Sequence, residues 1–135
     1  MTMAITQGLH HLGLTVSNID QTRDFFVNVL AFKQVGAKPD YPAYFVSDGT
    51  TLLTLWQAKD PESAVPFNRH TNIGLHHFAL KVDGAATLTA LHEKLQAIAD
   101  VTIEFAPEPL GNGPTQHMML IIPGGIRMEL TAPAQ

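Results

Sequence analysis

The chain contains no cysteine. That excludes disulfide frameworks and thiolate-ligated zinc ribbons or fingers, so any metal must be held by imidazole and carboxylate. Long apolar runs are missing as well. The longest, such as residues 118–123, fall far short of the ~20 residues a helix needs to cross a bilayer. Residues 1–8 show no basic segment followed by an apolar core, which makes the cytoplasm the expected location. Charge is sparse and slightly acidic, with 8 Lys+Arg against 12 Asp+Glu and a formal net charge of −4. Neither nucleic acid nor an anionic membrane surface is an expected partner.

What the sequence does have is histidine, seven in all, arranged partly as two doublets, His10-His11 and His76-His77. Both doublets stand in the phrase L-H-H-x-x-L-x-V, about half a chain apart, which reads as a tandem duplication of one unit. The context of the two phrases supports this. After the first, Ser17 and Asn18 are suited to capping, and Phe25, Phe26, Val29 and Leu30 give a helical period over 19–30. After the second, Asp83 can cap a helix over 85–98 whose Leu88, Leu91, Leu95 and Ile98 recur at helical spacing. Three extended segments follow each helix, at 32–35, 43–46 and 51–57 and again at 101–105, 116–122 and 126–131. The turns Ser47-Asp48-Gly49-Thr50 and Pro123-Gly124-Gly125 are hairpin signals. The expected fold is therefore α+β, two βαβββ modules in a single domain over 1–135. Module one spans about 8–58 and module two about 74–132, with a Pro- and Asn-bearing connector at 59–73.

Alternation along a strand puts residues i and i+2 on one face. Leu12, Leu14 and Val16 form the apolar set of the first strand, so His11, Gly13 and Thr15 face the other way. In the fifth strand Phe78, Leu80 and Val82 pack, which leaves His77, Ala79 and Lys81 opposite. In the last strand Met128 and Leu130 pack, and Arg127, Glu129 and Thr131 join the histidine face. Two neutral imidazoles and one carboxylate make a competent divalent-metal set with positions left for water or substrate. The expected ligands are His11, His77 and Glu129, with Glu129 also the expected catalytic residue. His10 and His76 have the opposite parity and read as strand-start residues. His70 and His92 read as surface residues. The parity of His117 is ambiguous.

The duplicated βαβββ pattern, the two early-strand histidines and the C-terminal P-G-G-x-x-x-E resemble the vicinal oxygen chelate superfamily, over roughly residues 8–132. That family contains glyoxalase I, extradiol dioxygenases, fosfomycin-resistance enzymes and metal-free bleomycin-binding proteins. The resemblance implies a curved mixed-sheet cup with helices outside and a divalent ion within. It matches His11, His77 and Glu129 to family ligands. At the fourth family position this chain has Thr54, a poor ligand, where glyoxalase I has Glu or Gln. A second departure is Leu30-Ala31-Phe32, where the family usually has Leu-Gly-Phe, and this implies a different exit from the helix.

The expected function is a lyase, isomerase or dioxygenase. It would act on a small substrate that chelates Fe, Mn, Ni or Zn through oxygen atoms. Lys81 and Arg127 could meet an anionic substrate group, and Thr54 and Trp56 could line the pocket. The alternative is a metal-free protein that sequesters a small aromatic or cationic ligand. Long sheet edges predict a homodimer, with the modules pairing either within a chain or across a swapped dimer. Glu129→Ala is expected to abolish activity with the fold intact.

Overall fold

The computed structural model describes residues 3–134, and the chain divides into two compact units between Ala64 and Val65. The division falls inside the expected connector. In the first unit β1 (Leu12–Val16) leads into α1 (Ile19–Asp24), which continues as a π turn (Phe25–Val29). Then come β2 (Lys33–Lys38), β3 (Ala43–Ser47) and β4 (Leu52–Gln57). The sheet order is β1-β4-β3-β2, with β1 parallel to β4 and the other pairs antiparallel. The second unit repeats the plan with β5 (Phe78–Lys81), α2 (Ala85–Gln96), β6 (Thr102–Pro109), β7 (Gln116–Ile122) and β8 (Ile126–Ala132), in the order β5-β8-β7-β6. Each unit is thus the expected βαβββ module with a four-stranded mixed sheet. A parallel neighbour requires a crossover, and the helix between first and second strand supplies it.

One face of each sheet is apolar and closed. Leu14, Val16, Phe26, Val46, Leu53 and Leu55 are buried in the first unit, and Leu88, Leu95, Met118, Leu120, Met128 and Leu130 in the second. The helices pack on these faces, α1 against β3 and β4 and α2 against β6 and β8. The opposite faces carry the histidine-parity residues.

The helix ends depart from expectation in two places. Asn18 caps α1 as anticipated, its Oδ1 accepting from the Gln21 N–H at 3.1 Å. The single helix expected over 19–30, however, widens into the π turn before Leu30. The Phe32 N–H then reaches back to the Phe26 carbonyl at 2.9 Å, and the two rings pack with centroids 5.1 Å apart. Ala31 closes this exit with φ 61, the left-handed conformation a glycine would take. The different exit expected from Ala31 is therefore not made. The residue accepts the left-handed geometry at a cost of roughly 1–2 kcal/mol, because the Phe26–Phe32 closure fixes the chain on both sides. At α2 the N-cap is Gly84 and not Asp83, and the Asp83 carboxylate accepts instead from the Thr87 hydroxyl, one turn into the helix.

Candidate metal and substrate site

The strand pairings decide which side chains share a face. In the second unit Ala79 of β5 lies opposite Glu129 of β8, and Glu129 lies opposite Met119 of β7. In the first unit Gly13 of β1 lies opposite Thr54 of β4. Gly13 and Ala79 follow His11 and His77 by two residues, so Thr54 and Glu129 hold equivalent positions in the two units. Small residues at 13 and 79 leave room beside each partner. A Cβ at Gly13 would come within 3.1 Å of the Thr54 Oγ1.

Glu129 is the centre of the second unit's open face. It is 8% exposed, buried where a solvated position was expected, and its two oxygens are shared between two imidazoles. Oε1 lies 3.2 Å from the His77 Nε2, and Oε2 lies 2.5 Å from the His117 Nδ1. A buried carboxylate with such partners carries stability, so Glu129→Ala will also weaken the fold. His117 is thereby placed on the histidine face. Its register partner is Thr131, one pleat from Glu129. The Phe105 ring of β6 lies 4.8 Å from its ring, and the Glu108 carboxylate lies 3.8 Å from its Nε2.

His76 is more than a strand-start residue, because its Nδ1 lies 2.7 Å from the Nδ1 of His77 and 3.2 Å from an Arg127 guanidinium nitrogen. A guanidinium can only donate, so the His76 Nδ1 carries a lone pair, and the His77 Nδ1–H donates to it. His77 in its neutral form then presents the Nε2 lone pair to the Glu129 Oε1, itself an acceptor. Two acceptors 3.2 Å apart are reconciled by a proton or by a metal ion. Although its ring is exposed, His76 is held below the ordinary histidine range. Lost hydration comes first among the causes, followed by the positive field of Arg127 and then His77, Arg69 and His70. The His10 and His11 Nδ1 atoms approach in the same way, at 2.9 Å.

The remaining predicted residues are placed as follows. Arg127 points along the sheet to Glu104, with its Nη2 2.7 Å and its Nε 3.0 Å from the carboxylate, and Arg69 of the connector shares that carboxylate at 3.0 Å. Lys81 is exposed two residues beyond Ala79 on β5. In the first unit His11 is exposed just before β1, and Thr54, 7% exposed, accepts the Trp56 indole N–H at 2.9 Å. That bond occupies a lone pair of the hydroxyl that occupies the fourth family position. The Trp56 ring also meets Tyr41 edge-on at 4.9 Å and Phe45 at 6.2 Å, so the open face of this unit carries an aromatic wall. Phe45 can lie over β2 because position 36 is glycine, where a Cβ would sit 2.8 Å from its ring.

Among the described residues, no group of three or more His, Cys, Asp or Glu side chains is assembled as a metal site. The donor pair of the second unit nevertheless fits one. Two donors at about 2.1 Å from one ion stand about 3.0–3.4 Å apart between right-angled and tetrahedral geometry, which brackets the 3.2 Å between the His77 Nε2 and the Glu129 Oε1.

The sequence profile of the glyoxalase/bleomycin resistance protein/dioxygenase superfamily matches residues 8–130. Among solved structures the chain is similar to a glyoxylase/bleomycin resistance protein/dioxygenase domain from Frankia sp. EAN1pec. The identity is 21% over 94% of this chain and 98% of that one, with a TM-score of 0.79. A genomically encoded fosfomycin resistance protein from Listeria monocytogenes aligns at 16% identity over 96% of both chains, with a TM-score of 0.74. A lactoylglutathione lyase from Agrobacterium tumefaciens aligns at 18% identity over 95% of both, with a TM-score of 0.70. No curated protein matches significantly.

Proposed function

Since this chain belongs to the glyoxalase/bleomycin resistance protein/dioxygenase superfamily, we propose that it is a cytoplasmic, divalent-metal-dependent enzyme acting on a small substrate that chelates the ion through oxygen. The observation that carries this reading is the 3.2 Å approach of the His77 Nε2 to the Glu129 Oε1, the spacing of two donors on one ion. His77 and Glu129 would hold the ion, with His11 as the third ligand. Bound there, a divalent ion supplies Lewis-acid polarisation of substrate oxygens. The chain's own residues do the rest. His76 and Arg127 keep the Nε2 lone pair of His77 directed toward the Glu129 Oε1, where an ion would be held, and Glu129 would be the candidate to move a proton. Arg127 and Lys81 offer positive charge to an anionic substrate group. The Thr54 hydroxyl stays with the Trp56 indole and does not ligate. A lactoylglutathione lyase among the similar structures supports a lyase as one reaction class, beside isomerase and dioxygenase.

The aromatic wall of Trp56, Tyr41 and Phe45 favours a second reading, a metal-free protein sequestering an aromatic or cationic ligand. Titration of the purified chain with Mn²⁺, Ni²⁺, Zn²⁺ and Fe²⁺ separates the two. Stoichiometric binding and a raised melting temperature are expected, whereas no binding and no shift with any ion would leave only the sequestering protein. The functional unit is a homodimer, since β1 and β2 in one sheet and β5 and β6 in the other are edge strands. A single-chain mass by sedimentation at micromolar concentration would rule that out.

A further inference from the structure

Glu129 has two oxygens, and a ligand carboxylate must present the right one. A free carboxylate swings about its last torsion with a broad, two-fold preference, so something has to fix it. We infer that His117 is the positioning residue for Glu129, holding Oε2 so that Oε1 is the metal-facing oxygen. This rests on the metal reading above. An ionised carboxylate only accepts, so the 2.5 Å contact is a donation from the His117 Nδ1–H. Both partners are well enclosed, with the His117 side chain 13% and the Glu129 side chain 10% exposed, so water competes little for the bond. The imidazole is itself located from the neighbouring strand. Phe105 packs against its ring at 4.8 Å, and the Glu108 Oε1 stands 3.8 Å from Nε2. The register permits the arrangement. With Met119 opposite Glu129, His117 lies on the same face at the diagonal position, within reach of the carboxylate and one pleat from the His77 side. Oε1 is left to His77 alone.

Outer partners of this kind usually change metal affinity by about 10–100-fold when removed. The test is calorimetric titration of the full chain with Mn²⁺ and Ni²⁺, together with the melting temperature of the metal-free form. The variants are His117→Phe, which removes the donor, and His117→Gln, which keeps an N–H donor. The expected result is wild-type binding of one ion per chain, affinity about 10–100-fold weaker in the Phe variant, and most of that loss recovered by Gln. If the Phe variant does not fold, His117→Met takes its place in the same comparison. Unchanged affinity in a folded donorless variant, or a Gln variant as weak as the donorless one, overturns the positioning role and leaves the metal reading standing. A wild-type chain that binds neither ion overturns both.

Discussion

Ala31 is the one non-glycine residue with positive φ among the described residues, and its conformation is imposed by its neighbours. Replacing it with glycine removes a Cβ penalty of roughly 1–2 kcal/mol but loosens the unfolded chain by roughly half that. Ala31→Gly should therefore stabilise the protein by several tenths to about 1 kcal/mol in urea denaturation. A destabilised variant would show that the left-handed exit is not strained. Glu129 gives the opposite sign. Its removal strands the buried His117 N–H that donates to Oε2, so Glu129→Ala should cost about 1–3 kcal/mol in the absence of metal, and on the metal reading should abolish ion binding as well. Thr54→Val leaves the Trp56 indole N–H without its acceptor. Its expected effect is a smaller loss, about 1 kcal/mol, with a change in tryptophan fluorescence and metal affinity unchanged.

At the scale of elements, most of the fold is legible because strand parity and helical spacing are local properties. The 85–98 period becomes α2, which ends at Gln96, and the parity that sets Ala79, two residues after His77, beside Glu129 holds in β5 and β8. The role of His117 is hidden by a run of apolar residues in β7, where alternation has nothing to alternate against. The turn contains the missing signal. Pairing Ile122 with Ile126 across Pro123-Gly124-Gly125 sets Met119 opposite Glu129 and His117 on the same face. His76 is missed for a different reason, since it precedes β5, where parity cannot show its ring meeting Arg127. The π turn has no periodicity signature, because Phe25, Phe26 and Val29 fit either winding. The Asn18 cap is plainly readable, and Asn18→Ala should cost about 1 kcal/mol of thermal stability, with Asn18→Ser close to neutral.

For the whole molecule, the connector between the units is almost entirely exposed, Arg69 being the exception through its bond to Glu104. Limited proteolysis should cut there first, giving two fragments of about half the chain by mass spectrometry, whereas early cuts inside α2 or β7 would contradict the packing described. The duplication also bears on how the protein folds. In each unit the first strand pairs in parallel with the last, Leu12 with Leu53 and Phe78 with Met128, so the longest loop must close before the sheet is complete. Such closures are entropically late and slow, on the order of milliseconds to seconds. The β6–β7–β8 hairpins can form early and already bring His117 to Glu129. His77 arrives only with β5, so a partly folded second unit holds the His117–Glu129 contact with no second imidazole across from it, and the proposed His77–Glu129 pair would be the last feature of the unit to form.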